Sequence, residues 1–432
     1  MAKQQHILLL RHLYTTLENL GYLGDQRKAI SYYGQSLKMR EAIYGETTAH
    51  PDIAASLNNI ATCWNGLGDL KKAMAYYEQS HEMRKTLYGE TIAHPDMIES
   101  LHNIGKCWCE LGDRRKAIQY YEQSLKMMKD IYGETTAHAA IASSLNNIGT
   151  CWNGLGDLKK AISYYEQSYK MRKTLYGETT AHPEIADSLN NIGSCWSDLG
   201  DKRKAISFHE QSLKMTKHIF GETTAHPDIA SSLNNIGSCS SDLGDQRKAI
   251  RYYERSLKMK RAIYGKTTAH LNIAASFNNI GDCWKKLGQQ SRAIMYHEYS
   301  LKMMKAVYGE TTAHPNIALS LNNIGACWSE LGDQRKAISY YEQSLKMMKD
   351  ICGDGEAHSR IAFSLHNMGI CWFKLGNPSR AVSYSELSLM MLKRIYGDDT
   401  AHPVITQVQN NIRVFRSALR DNTTGLQDSH EL

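Results

Sequence analysis

The feature that most constrains this chain is a strict internal period. Glycine stands at 45, 89, 133, 177, 221, 265, 309, 353 and 397, every step being 44 residues, and alanine keeps the same step from Ala29 through Ala73, Ala117 and Ala161 to Ala381. No insertion or deletion breaks the register, so residue number modulo 44 defines a column, and the 432 residues make nine full repeats and a tenth cut short at Leu432. A period of this size describes a solenoid, in which each repeat buries its apolar face only against its neighbours. The core grows by addition, so the chain is expected to form one elongated domain where a non-repeating chain of this length would divide.

The repeat from Gly221 to Tyr264 reads as a helix pair. Gly221 can take a left-handed cap after the preceding helix, and Pro227 suits the first position of the next. From Ile229, the apolar or small residues Ala230, Leu233, Ile236, Gly237 and Cys239 follow three- and four-residue spacing, one face of a helix of about four turns. Leu243-Gly244-Asp245 ends it, with Gly244 making the turn and Asp245 placed to cap the second helix. That helix carries Ala249, Ile250, Tyr252, Tyr253, Ser256, Leu257, Met259 and Ile263 at helical spacing and stops at Gly265. The fold class is therefore all-α, an α–α solenoid.

Charge and cysteine placement bound the partners and the compartment. The net charge is +7, and the 51 basic and 44 acidic residues are interspersed rather than blocked, which argues against a nucleic-acid tail or a polybasic membrane anchor. The N-terminal HILLLRHL is short and interrupted by Arg11, so it makes a poor signal-peptide core, and nothing in the sequence approaches a membrane-spanning run. Eight of the ten cysteines, Cys63, Cys107, Cys151, Cys195, Cys239, Cys283, Cys327 and Cys371, share column 19, and only Cys109 and Cys352 lie elsewhere. Equivalent helices in a stacked array lie about 8–10 Å apart, beyond the Cα separation of under about 7 Å that a disulfide tolerates. The column is expected to be a row of small buried thiols in a soluble, cytoplasmic protein.

Other columns invite chemistry and have simpler readings. All seven tryptophans lie in column 20, and methionine fills column 39 from Met39 to Met391; both read as core between helices. Histidine fills column 6 ten times, from His6 to His402. Metal needs three or four ligands converging at about 2.0–2.3 Å, whereas a column spreads its members one repeat apart. A Cys-His pair fails too, because columns 6 and 19 lie about 20 Å apart along one helix. Histidine before proline is held extended and is expected to pack or hydrogen-bond at the junction between repeats. There is no Walker loop, dinucleotide fingerprint or zinc cysteine spacing. No enzyme, cofactor, metal or small-molecule substrate is expected. On the second helices, Glu122 and Lys126, Glu166 and Lys170, Glu210 and Lys214, Glu254 and Lys258, Glu298 and Lys302, and Glu342 and Lys346 are spaced i, i+4 with the acid first, which reads as a solvated, ion-paired face.

The pattern Leu233, Ile236, Gly237, Leu243-Gly244-Asp245, Ala249, Tyr253, Ser256 resembles the tetratricopeptide repeat (TPR), and the likeness covers nearly the whole chain. The usual repeat is about 34 residues; the surplus here, with HPDIA followed by SLNNI, resembles the long-repeat subclass of kinesin light chains and nephrocystin-type arrays. The resemblance implies a right-handed superhelix of nine helix pairs plus a C-terminal capping helix. Its first helices would line a concave groove for an extended or helical peptide. Two departures limit it. Kinesin light chains join their motor through a coiled coil, and no heptads occur in this sequence. Some arrays clamp a C-terminal carboxylate with lysine, but column 14, where the first such lysine would fall, holds Tyr14, asparagine or histidine.

Asparagine in columns 14 and 15 is the polar signal on the groove side. It recurs as Asn58 and Asn59, Asn146 and Asn147, Asn190 and Asn191, Asn234 and Asn235, Asn278 and Asn279, and Asn322 and Asn323, while His102 precedes Asn103 and His366 precedes Asn367. Column 15 matches the asparagine that in the resembling families meets a bound peptide's backbone. An amide both donates and accepts, so a ladder of them can hold an extended chain; alternatively the amides bond within or between repeats. Specificity would come from columns 11, 18, 21 and 22, which vary. They supply Glu99, Glu110, Asp187, Asp198 and Asp242, with Lys106; then Asp282, Lys285 and Lys286; and toward the C-terminus Leu319, Phe363, Ile370 and Phe373. The groove is thus expected to grade from acidic to apolar.

The expected boundaries are one solenoid over 1–421, with a degenerate N-terminal cap at 1–44, eight regular repeats over 45–396 and a capping helix over 397–421 that ends near Leu419, then a disordered tail over 422–432. The first function this supports is a non-enzymatic protein- or peptide-binding scaffold. Alternatives are the sensing arm of a larger STAND-type signalling nucleotidase, whose ATPase would lie outside this sequence, a cargo-binding array of a kinesin light chain-like adaptor lacking its coiled coil, and a purely structural spacer.

Overall fold

The computed structural model describes residues 25–353, 356–397 and 402–427, with side chains to residue 420. Among the described residues there are helices and no strand. Two compact units divide the chain, Met1–Ile219 and Phe220–Leu432. In the first, α1 (Gln26–Tyr44) is followed by the pairs α2 (Pro51–Gly66) and α3 (Leu70–Tyr88), α4 (Pro95–Glu110) and α5 (Arg114–Tyr132), α6 (Ala139–Gly154) and α7 (Leu158–Tyr176), and α8 (Pro183–Asp198) and α9 (Lys202–Phe220). In the second, the pairs are α10 (Pro227–Asp242) and α11 (Gln246–Tyr264), α12 (Leu271–Lys286) and α13 (Gln290–Tyr308), α14 (Pro315–Glu330) and α15 (Gln334–Cys352), and α16 (Ser359–Lys374) and α17 (Pro378–Tyr396), before α18 (Pro403–Gln427). Consecutive helices pack on one another within each unit, the arrangement of an all-α solenoid. The final helix runs past Leu419 to Gln427, so the expected tail falls partly on it and partly outside the described residues, as do Tyr14 and most of the N-terminal cap.

Local chemistry sets where each helix starts. The column-6 histidine opens the first helix: His50 is extended, and its Nδ1 accepts the Asp52 backbone N–H at 3.2 Å. Its ring stacks on Tyr44, the last residue of the preceding helix, with centroids 3.6 Å apart. The same stack recurs at Tyr88 and His94, Tyr132 and His138, and Tyr176 and His182, and in the second unit at Phe220 and His226, Tyr264 and His270, and Tyr308 and His314. Capping satisfies an N–H that the helix itself cannot, and stacking sets the angle at which the next repeat begins.

The second helix opens on aspartate. Asp69 accepts the Lys72 N–H at 3.2 Å, and Asp245 accepts that of Lys248 at 2.9 Å. Lys72 then lies 4.1 Å from the centroid of Trp64 and 3.0 Å from the Asp69 carboxylate. Lysine or arginine covers Trp108, Trp152, Trp196, Trp284, Trp328 and Trp372 in the same way. The tryptophans are therefore half-buried plates with a cation on one face, not fully enclosed anchors. Among the described residues none of the six i, i+4 glutamate–lysine pairs forms an ion pair, as expected of long exposed side chains whose attraction barely offsets their lost freedom. A basic residue that does pair recurrently is the one beside the cap, as at Lys72, Lys116, Lys160, Lys204 and Lys336.

The core repeats column by column. In α10 and α11, Ile229, Leu233 and Ile236 are fully buried with Cys239, Ala249 and Tyr253. Ser256 Oγ donates to the Ala230 carbonyl at 2.7 Å, tying the pair together. A Cβ on Gly237 would sit 2.9 Å from the Tyr253 ring, so the small residue in column 17 lets that ring approach. Column 39 is only half-buried, and it is its neighbour, column 40, that points inward. Met128, Met304, Met348 and Leu392 fill column 40 in some repeats, but Arg84 and Arg172 are buried there. Arg172 Nη1 donates to the Glu184 carbonyl at 2.8 Å and to Ser188 Oγ at 2.7 Å. The ten cysteines are free.

Candidate functional site

The first helices carry the asparagine columns, and the structure joins those columns across repeats. In the first unit, Asn103 Nδ2 of α4 donates to Asn58 Oδ1 of α2 at 3.1 Å, and Asn191 Nδ2 of α8 donates to Asn146 Oδ1 of α6 at 3.2 Å. In the second, Asn323 Nδ2 of α14 donates to Asn278 Oδ1 of α12 at 3.1 Å, and Asn411 Nδ2 of α18 meets His366 Nε2 at 3.3 Å. A column-15 amide thus reaches back to column 14 of the repeat before it. Asn58 is buried and also donates to Glu99 at 3.1 Å. Asn190 Oδ1 lies 3.0 Å from His209 Nδ1, and Asn322 Nδ2 donates to Ser364 Oγ at 2.9 Å. Asn59, Asn147, Asn234, Asn235, Asn279 and Asn367 are half-buried on the same helices.

The variable columns surround this ladder. In the first unit, Glu99 is half-exposed and ion-paired to the buried Arg84 at 3.1 Å, while Glu110, Asp187, Asp198 and Lys106 are exposed. A cleft of about 300 Å³ opens between α4 and α6, lined by Glu99, His102, Asn103, Ser143 and Ser144. Burial lowers the His102 pKa, keeping the ring neutral at ordinary pH, and Ser144 Oγ is buried with no hydrogen-bond partner. The only sign of this cleft in the sequence is histidine where most repeats have asparagine.

In the second unit the charged residues largely tie repeats to one another. Lys285 lies 3.7 Å from Glu330 in the following repeat, and Lys286 Nζ donates to Ser241 Oγ of the preceding one at 3.1 Å. Asp282 accepts from Asn278 at 3.0 Å and sits 3.6 Å from the fully buried His297. Burial pushes the Asp282 carboxyl up to about 6 and the His297 ring down to about 4. Asp242 is exposed. Toward the C-terminus, Leu319 and Phe363 each remain 38% exposed and Ile370 is half-buried. Phe373 is turned against Phe415 of α18, with ring centroids 4.5 Å apart, so it serves a helix contact that column position did not reveal.

Among the described residues no three histidine, cysteine, aspartate or glutamate side chains converge as a metal site, and no helix is long and apolar enough to cross a membrane. A tetratricopeptide repeat profile matches residues 20–86, 52–130, 140–218 and 229–306, and a second matches 317–359. No curated protein sequence matches the chain. Among solved structures, the apo form of RapI is 13% identical with a TM-score of 0.57, covering 85% of this chain and 99% of its own. The apo form of the quorum sensor NprR from B. thuringiensis is 16% identical with a TM-score of 0.53, covering 91% of this chain and 100% of its own. Nearly identical TPR-like repeats of a Podosopora anserina kinesin light chain are 16% identical with a TM-score of 0.43, covering 50% and 99%. For the first two, the likeness is one of fold. With profile matches over most of its length and a helix pair in each regular repeat, the chain belongs to the tetratricopeptide repeat family, whose helical arrays are scaffolds for protein or peptide partners.

Proposed function

We propose that the chain is a non-enzymatic scaffold that binds a peptide along the face of its first helices. The observation that carries this reading is a contrast within each repeat. Most packing columns keep one residue type, with columns 33 and 40 the exceptions, whereas columns 11, 18, 21 and 22 change from repeat to repeat and hold exposed or half-buried side chains. The cleft between α4 and α6 offers a recess on that face in the first unit. Asparagine contributes through what the ladder does not use: with one N–H of Asn103, Asn191 or Asn323 given to the preceding repeat, the amide oxygen can accept from a ligand backbone. On the second unit, a peptide would place a basic residue near Asp242 and large apolar residues over Leu319 and Phe363.

Panning a random peptide library on the intact chain tests this, followed by fluorescence anisotropy of the selected peptides on variants. Leu319 and Phe363 each keep 38% of their surface exposed. If full burial of such a side chain contributes about 1.5–3 kcal/mol, covering that remainder contributes about 0.6–1.1 kcal/mol each. The double change Leu319→Ala with Phe363→Ala is then expected to weaken binding by roughly 6- to 50-fold. Asp242→Asn is expected to cost less, and its cost to shrink as salt rises. Peptides that bind both variants as tightly as the parent, or a selection that yields no binder, would overturn the proposal.

A further inference from the structure

Between the second helices α11 and α13, in the second unit, lies a cleft of about 830 Å³ bounded by Arg247, Ile250, Arg251, Glu254, Trp284 and Arg292. Three arginines against one glutamate leave it with two net positive charges. At the junction of α5 and α7, the same columns hold Arg115, Gln119, Glu122, Asp157 and Lys160, and the charges cancel. The difference has two sources. Column 31 is serine in most repeats and arginine only at Arg251, and column 25, acidic in most repeats, is Gln289 here.

Gln289 matters because its column caps the second helix. Asp157 accepts the Lys160 N–H at 3.1 Å, and Asn377 accepts that of Arg380 at 3.0 Å, but Gln289 makes no side-chain cap bond at the start of α13. The helix start that elsewhere holds a carboxylate or amide oxygen therefore opens into the cleft without one, and Arg292 stands in its first turn. The Arg292 guanidinium lies 4.6 Å from the Trp284 ring centroid, and Trp284 Nε1, like that of Trp108, Trp152, Trp196, Trp328 and Trp372, is buried with no acceptor. Among the described residues Arg247, Arg251 and Arg292 form no ion pair. α11 itself has seven basic residues and one acidic residue in its 19.

We propose that this cleft is a second binding site, distinct from the first-helix face, for the phosphoryl group of a phosphorylated peptide. Arginine presents a planar fork of donors that matches phosphate oxygens. A helix start supplies unpaired N–H groups and a favourable dipole for an anion. A phosphoserine carries about −1.5 to −2 charges at neutral pH, close to the excess in the cleft, whereas one carboxylate brings half as much. The phosphoryl oxygens take the place of the missing capping carboxylate, with Arg251 and Arg247 closing from α11.

The full chain is titrated with short labelled peptides identical but for one residue, phosphoserine, glutamate or serine, and binding is read by anisotropy. The phosphoserine peptide is expected to bind most tightly. Arg251→Ser, which installs the residue found at Ser163 and Ser339, is expected to weaken it by about 10- to 100-fold, the loss of one charge-assisted contact. Arg335→Ala, at the column of Arg247 two repeats later, is expected to leave binding unchanged. The Trp284 indole N–H resonance, assigned from Trp284→Phe, should move on titration, which tests the site in the unaltered fold. Equal binding of the glutamate or serine peptide, equal loss in Arg335→Ala, or an unmoved Trp284 resonance would overturn the proposal.

Discussion

Whether the asparagine columns brace the array or exist for a ligand can be decided at Asn58 and Asn103. Asn58 is 3% exposed; its Oδ1 accepts from Asn103 at 3.1 Å and its Nδ2 donates to Glu99 at 3.1 Å. Asn103→Ala strands the buried Asn58 oxygen without its donor, which is expected to cost about 1–3 kcal/mol. Asn58→Ala removes two hydrogen bonds worth about 0.5–1.5 kcal/mol each. Its loss should sit toward the low end, because Glu99, with 52% of its side chain exposed, recovers water. In a double-mutant cycle the coupling is expected to be about 0.5–1.5 kcal/mol. Repeat arrays need not unfold in one step, so the readout is native-state hydrogen exchange at the backbone amides of α2 and α4. A coupling within about 0.3 kcal/mol of zero would refute the brace, and if selected peptides also lost affinity, the amides would belong to the ligand.

Three further outcomes are expected. Burial holds the His209 pKa at about 4, below its ordinary 6.5, so the unfolded chain takes up a proton first, and the stability tied to the neutral ring, present above pH 6.5, is lost as pH falls from 6.5 toward 4. His209→Tyr, matching Tyr165 and Tyr253 in its column, should make stability fall less steeply with pH over that window, His297 still contributing, and an unchanged slope would assign the acid sensitivity elsewhere. Arg172→Met, the residue at Met128 and Met348, should fall within about 1 kcal/mol of the parent in urea or stabilise it, since a well-packed apolar group often replaces a buried charge without loss. Arg172→Ala should cost about 2–4 kcal/mol through the cavity it leaves, and equal losses would count against burial as the deciding term. Finally, Cys109, outside the cysteine column, places its Sγ 3.7 Å from that of Cys151. With oxidised glutathione, a mixed disulfide at the more accessible Cys109 should be displaced by Cys151, releasing the second glutathione thiol and leaving a crosslink between α4 and α6 that peptide mapping detects. A crosslink between two column-19 cysteines instead would contradict the geometry.

The sequence by itself determined the repeat, the helix pair within it and the residues that start and stop each helix. Those features are local: Pro227 opens a helix, Asp245 caps one and Gly265 ends one through contacts within a few residues. The buried cysteine column and the junctional histidine were legible because both recur at one fixed helical position through the regular repeats. Tertiary structure alone decided the direction of the asparagine ladder, because Asn103 finds Asn58 across 45 residues only once the rise between repeats is set. It also decided that column 40 rather than column 39 faces inward, so that Arg84 and Arg172 are buried beside serines while exposed lysines stand over tryptophan. The same holds for Phe373, which the final helix claims through Phe415, and for Arg251, which reads as one more solvated charge until α13 is seen beside it without its cap. A column names a side chain and its helical face; what that side chain meets depends on the adjacent repeat, and where the repeats differ, the meeting point is a property of the pair.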